Sequence, residues 1–238
     1  GWQLGIGCGG MVKILLQPVN RTNQFQNLLE LKEKLAHSQS CYYQLCFDNF
    51  NVANQVLPTH PAKSDNTFVH KISPRPILTI FGGGTDAIPL VDLARVLGWL
   101  VVVIDERVSY ARREHFPAAD FIIKKPLKEL QGEPLLQKTD ALVIMNHNIK
   151  LDALALQVAQ SSSALFVGLL GPRHRTQKVL DQLNWQYQDL QKPLSNPIGL
   201  DIGGELPESI ALSILSEAHA VLEGKQGQPL TRELQRAS

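Results

Sequence analysis

Short stretches of this chain carry residue types suited to binding an anion, holding a hydroxyl and moving a proton. Gly82-Gly83-Gly84-Thr85-Asp86 follows directly on the apolar run Ile77–Phe81, and the glycine spacing is Gly82-x-Gly84-x-x-Ala87. Gly82 permits a tight turn out of a strand, Gly84 lets a phosphate approach the backbone, and the small Ala87 lets the following helix pack close. The free N–H groups and partial positive charge at that helix start attract an anion. Asp105 comes 23 residues after Gly82, at the end of the next apolar run. A carboxylate in that place can accept hydrogen bonds from a ribose hydroxyl. Arg107 adds a guanidinium beside it, and Gly171-Pro172-Arg173-His174-Arg175 opens a later helix. Cations at a helix start oppose its dipole. Arg173 and Arg175 therefore make more sense facing a phosphate, which a guanidinium can grip in bidentate fashion. His147, in Asn146-His147-Asn148, is the candidate proton-transfer or ligand group, and Cys8 is a candidate thiolate that could hold sulfur or touch a metal. Each has a plainer reading: a glycine turn that binds nothing, a hydrogen-bonded structural histidine, a solvated arginine face and a small turn residue.

The elements that must position these groups follow from hydrophobic periodicity. From residue 76 the chain alternates strand and helix, the sign of a parallel sheet covered on both faces. Strands are expected at Ile77–Phe81, Trp99–Ile104, Phe121–Ile123, Ala141–Met145 and Leu165–Leu169. Helices are expected around Ile88–Leu97, at Ser109–His115 (short and polar), and at Leu151–Gln160, Pro172–Leu183 and Pro207–Leu222. Strand, glycine turn, helix, strand, acid is the order of a dinucleotide-binding βαβ unit. In such sheets ligands bind beyond the carboxyl ends of the strands, where strand order reverses. The segments Gly82–Asp86, Asp105–Arg107, Asn146–Asn148 and Gly168–Arg175 are therefore expected to converge on one crevice. Before residue 74 the pattern is that of a small α+β unit, residues 1–73. It has strands at Met11–Gln17, Cys41–Phe47 and Thr67–Ile72, a helix at Asn23–His37, and a polar segment at Asn49–Asn66. Ser73-Pro74-Arg75-Pro76 is a stiff connector to the second domain, residues 74–238. The fold class expected is α/β: a Rossmann-like doubly wound parallel sheet preceded by a small α+β domain.

Composition narrows the function classes. A net charge of +1 over 238 residues gives no basic footprint for nucleic acid. No apolar stretch reaches the roughly 18–20 residues that span a membrane, and no secretory signal is expected. Cys8, Cys41 and Cys46 are too few for a disulfide framework, so a cytoplasmic location is expected. Cys41 and Cys46 fall in a strand pattern and read as core, and no Cys/His spacing matches a zinc site. Asp201 and Glu205 read as turn and helix-start charges. The first residue is glycine, so a cleaved tag or missing upstream residues are expected.

LGIGCGG at residues 4–10, IFGGGTDA at 80–87 with VIDER at 103–107, FVGLLGPRHR at 166–175, and NPIGLDIGGELPESIALSI at 196–214 together resemble the XdhC/CoxI family. These are the accessory factors of xanthine dehydrogenase and related molybdenum hydroxylases. The last two blocks are the specific ones, since a generic dinucleotide-binding protein has no reason to carry them. The resemblance runs from about residue 4 to Leu230. It implies a small N-terminal domain and a Rossmann-like domain. It implies a chaperone that binds the molybdenum cofactor, helps it acquire a sulfido ligand from a cysteine desulfurase, and delivers it to an apo molybdenum hydroxylase. A homodimer is expected. The family's Ser-Gly-Gly-Cys-x-Glu segment does not appear in this chain, which implies a truncated N-terminus or altered cofactor handling. Its Thr-His-Asp reads Asn146-His147-Asn148 here, keeping the histidine and losing the carboxylate, and the threonine before the last helix is Leu206.

The binding candidates are thus Gly82, Gly83, Gly84, Thr85, Asp86, Asp105, Arg107, His147, Gly171, Arg173 and Arg175. His147 and Cys8 are the candidates for chemistry, Cys8 as a molybdenum or sulfur contact. The competing readings are an NAD(P)-dependent oxidoreductase, with Asp105 favouring NAD, and a protein whose nucleotide site regulates partner contacts.

Overall fold

In the computed structural model, which describes residues 14–47 and 53–230, the chain divides into two units between Pro74 and Arg75. The first unit holds helix α1 (Leu28–Ala36) and strands β1 (Cys41–Cys46), β2 (Gln55–Leu57) and β3 (Thr67–Ile72). The strands form an antiparallel sheet in the order β2-β1-β3, with Tyr43 opposite both Val56 and His70. Few large apolar groups are buried here, and amides tie the unit together instead. The Tyr43 hydroxyl donates to the Gln26 carbonyl, Asn54 N–H donates to Gln26 Oε1, and the Asn54 amide donates to Gln17.

Sequence periodicity misplaces several boundaries in this unit. The helix expected from Asn23 begins only at Leu28, because Gln24 to Asn27 turn left-handed, at φ +52° to +58°. Their side chains explain it. Gln26 and Asn27 bond to Pro18 and Asn54 backbone groups, an alternative to helical bonding that short amides favour. Residues 14–17 of the strand expected at Met11–Gln17 have no regular structure, and residues 11–13, like Cys8, lie outside the described residues. Strand β2 arises inside the polar segment, because pairing with β1 needs backbone groups rather than apolar side chains.

The second unit contains β4 (Ile77–Phe81), α2 (Ala87–Val96), β5 (Leu100–Ile104), β6 (Phe121–Ile123), β7 (Ala141–Ile144), α3 (Ile149–Gln160), β8 (Phe166–Leu169), α4 (Arg173–Leu183) and α5 (Pro207–Leu222). The five strands β4–β8 are all parallel and run in the order β6-β5-β4-β7-β8. This is the Rossmann-like doubly wound sheet the sequence leads one to expect. Its strands read as continuous apolar runs because both faces are covered. Leu78, Ile80, Val101, Val103, Ala141 and Val143 pack with α2 and α5 on one face. Phe81, Val102, Ile104, Leu142 and Ile144 pack with α3 and α4 on the other. The short helix expected at Ser109–His115 is instead a run of isolated turns, since that segment carries no apolar stripe to bury. Helix α5 starts at Pro207 with no side-chain cap from Leu206. Among the described residues no helix is long and apolar enough to cross a membrane.

One carboxyl works against the sheet. Asp140 precedes β7 and accepts from Ile77 N–H at 2.8 Å, and burial pushes it above its ordinary 3.8 while the Ile77 bond pulls the other way. A raised carboxyl costs stability once it is ionised, above its folded pKa, and costs nothing below its unfolded one. Asp140→Asn keeps an acceptor for Ile77. The variant is expected to melt at a higher temperature than wild type at pH 7, with the difference vanishing as pH falls toward 3.8. Calorimetry across pH checks the sign.

Candidate functional site

The sheet begins at its centre with β4, moves outward to β6, and returns to place β7 on the other side of β4. Strand order therefore reverses between β4 and β7, and a ligand crevice belongs at their carboxyl ends. A cleft of about 530 Å³ lies there, formed by the loops after β4, β5 and β7. That volume suits a nucleotide-sized group.

The three glycines after β4 do different work. Gly82 has φ +116°, and a Cβ there would lie 2.4 Å from the Met145 carbonyl oxygen, so the fold itself demands glycine. A Cβ on Gly83 would lie 3.0 Å from the Tyr110 backbone. Gly84 is different: the nearest atom to its Cβ would be Asp86 Oδ1 at 3.8 Å, an ordinary contact. Nothing among the described residues requires a bare backbone at Gly84, which leaves space on the cleft side. The N–H groups of Gly84, Thr85 and Asp86 have no acceptor among the described residues. The turn that leads into α2 thus offers these donors at the cleft.

Asp105 is fully buried. It accepts from Gly83 N–H at 2.8 Å and from the N–H, Nε and Nη2 of Arg107 at 2.9, 2.9 and 2.7 Å. Both carboxylate oxygens are committed inside the protein, so the role expected of Asp105, facing a ribose, is replaced by a tether between the glycine loop and the turn after β5. Arg107 reaches the cleft instead, its guanidinium 3.9 Å above the Tyr110 ring. The hydrogen bond to Asp105 raises its pKa, against the lowering effect of burial, so the cation is fixed as well as positioned.

His147 lies at the cleft with φ +57°, and its Nε2 is 2.8 Å from Asp86 Oδ2. The carboxylate that the sequence around His147 lacks is thus supplied from the glycine loop. Asn148 caps α3, accepting from Lys150 and Leu151 N–H.

The arginines of the later block do not join the cleft. Arg175 pairs with Asp152, a buried residue in the first turn of α3, which in turn holds Asn146. Gly171 has φ +120°, and a Cβ on it would lie 2.6 Å from Arg175 Cδ, so this glycine makes room for that side chain. Arg173 opens on a separate groove with His174, Tyr187 and Asn196. Two residues apart on a helix, Arg173 and Arg175 point to opposite sides, a signal available in the spacing alone. The expected convergence of Gly168–Arg175 on the crevice is therefore indirect, through Asp152. The remaining block is structural glue: Glu217 on α5 accepts from the Ser195 hydroxyl and from Gly199 N–H, and Gly168 leaves room for Ile198. Among the described residues no cluster of His, Cys, Asp or Glu could hold a metal ion.

The structure therefore gathers Gly83, Gly84, Thr85, Asp86, Arg107 and His147 at one cleft, with Gly82 and Asp105 behind it. Sequence reasoning missed the Asp86 partner of His147, the Tyr110 platform and the role of Asn146, which it placed only within a segment facing the crevice. The Arg107-x-x-Tyr110 spacing held a clue to the second, but no local spacing pointed to the others.

A family model described as the XdhC Rossmann domain matches residues 78–218. The chain is 28% identical over 240 residues to a protein of Bacillus subtilis (strain 168) named as a probable xanthine dehydrogenase subunit, covering 91% of this chain and 71% of that protein. It is 27% identical over 166 residues to the uncharacterized protein YqeB of Escherichia coli (strain K12), covering 69% of this chain and 30% of that one. Its fold matches the crystal structure of a xanthine dehydrogenase from Bacillus halodurans with TM-score 0.70 at 26% identity, covering 91% and 70% of the two chains.

Proposed function

The chain belongs to the XdhC family, and from that membership we propose that it is an accessory factor that binds the molybdenum cofactor and hands it to a xanthine dehydrogenase-type hydroxylase. The observation that carries the reading is the space at Gly84, where no described residue demands a glycine, beside N–H donors without an acceptor among the described residues and a fixed guanidinium. A phosphorylated pterin, with or without a nucleotide, offers the anion such a cradle suits. The cofactor is cargo here, and it brings the molybdenum chemistry to its destination enzyme. The N–H groups of Gly84, Thr85 and Asp86 hold the phosphate end, Arg107 offers it the N–H groups not taken by Asp105, and Asp105 keeps loop and guanidinium in register. Sulfuration by a cysteine desulfurase would take place while the cofactor is held. Cys8, as a candidate sulfur or molybdenum contact, and a homodimer complete the proposal.

A second reading, an NAD(P)-dependent oxidoreductase, is favoured by one observation, the His147–Asp86 pair, which gives an imidazole an orienting carboxylate. With Asp105 neutralised by Arg107, preference for NAD over NADP would be weak on this reading.

Reconstitution separates the two. An apo hydroxylase, cofactor and stoichiometric chain are incubated without oxygen, and recovered hydroxylase activity is measured. The accessory reading predicts recovery several times that of cofactor alone, lost with Gly84→Val. Recovery indifferent to the chain, together with turnover of NAD or NADP, would favour the oxidoreductase.

A further inference from the structure

We propose that Asn146 is the cleft's acceptor for an N–H or O–H donor on the bound ligand, and that Arg175 fixes it in that role through Asp152. The inference rests on the reading that the cleft takes a phosphorylated ligand.

Asn146 follows β7 at the point where strand order reverses. It is 2% exposed and yet lines the cleft. Its backbone N–H and its Nδ2 both donate to Asp152 Oδ1, at 3.0 and 3.1 Å. The other Asp152 oxygen is taken by the Arg175 guanidinium, and the carboxylate is 1% exposed. A carboxylate paired with a guanidinium accepts hydrogen bonds and donates none. The Asn146 amide must therefore turn its NH₂ group to Asp152, which sends Oδ1 the other way. That oxygen is buried and has no partner among the described residues.

An unpaired buried amide oxygen is costly. Folding uses the Nδ2 bond to Asp152 but gains nothing from the oxygen. A donor supplied by the ligand removes the cost and reads the ligand's identity at once. The chain also gives a reason for Arg175, a residue of the specific block that does not reach the cleft: it sets the sign of the group presented there. Arg175 and Asp152 are thus positioning residues, and Asn146 is the contact.

The ligand class is a phosphorylated heterocycle or nucleoside with a hydrogen-bond donor. A pterin N–H and the hydroxyls or carboxamide of NAD share that chemistry, so both serve as probes. The full chain is titrated calorimetrically, without oxygen, with molybdenum cofactor and with NAD, and separately with sulfate, an anion without a donor. Asn146→Leu is expected to weaken whichever probe binds by at least tenfold and to leave sulfate affinity within about twofold. Asp152→Asn, which lets Asn146 rotate and present NH₂ instead, is expected to do the same. Arg175→Lys, which keeps the cation, should lose less than Arg175→Gln. Equal loss of sulfate and probe would mark a structural role and overturn the assignment. So would full probe affinity in Asn146→Leu, provided that Gly84→Val still abolishes binding. If Gly84→Val also binds normally, or wild type binds neither probe, the phosphate-cleft reading itself fails and takes the inference with it.

Discussion

Gly84→Val is expected to weaken ligand binding roughly 100-fold, about 2.8 kcal/mol, while its melting temperature stays within a degree or two of wild type. Gly82→Ala, two residues earlier, is expected to do the opposite and cost about 3–5 kcal/mol of stability. The contrast comes from what each glycine touches. At Gly82 a side chain meets the Met145 carbonyl at 2.4 Å in a backbone conformation that L-residues avoid. At Gly84 the φ is ordinary and the space is empty save for Asp86 Oδ1 at 3.8 Å. Only a ligand needs that space. Thermal unfolding and a binding titration on both variants test the pair. Normal binding by a folded Gly84→Val protein would mean that the anion sits elsewhere.

Asp105→Asn is expected to lower stability by about 3 kcal/mol, because it leaves a part-buried guanidinium facing an amide that cannot accept all its donors. The double variant Asp105→Asn/Arg107→Gln should recover part of that loss, since the unpaired charge is gone. A ribose ligand role for Asp105 predicts otherwise: an undiminished melting temperature and a selective loss of nucleotide affinity. Urea unfolding of the single and double variants decides between tether and ligand contact.

How far these roles could be read in advance differs by residue. The parallel sheet was legible because β4, β5, β7 and β8 are buried on both faces and so spell continuous apolar runs. Helix α5 was legible to its ends, with Pro207 opening it and Gly224 beyond it. The glycine loop was legible because its chemistry is local. What escaped depends on strand order, which no local pattern carries. His147 finds Asp86 only because β7 returns beside β4, and Asp152 finds Arg175 only because α3 and α4 pack on the same face. Asp105 was placed correctly at the end of β5, but the capture of its oxygens by Arg107 is a matter of side-chain direction, to which residue spacing is blind. In the first unit, amide side chains overrode helix periodicity at Gln24–Asn27.

Whether this cleft holds the molybdenum cofactor by its phosphate is decided by titrating the full chain with the cofactor in the absence of oxygen, with NAD and NADP in parallel and Gly84→Val as control. Wild type is expected to bind the cofactor saturably and the variant to lose that binding, with NAD and NADP much weaker. Clear NAD or NADP binding with none of the cofactor would contradict it.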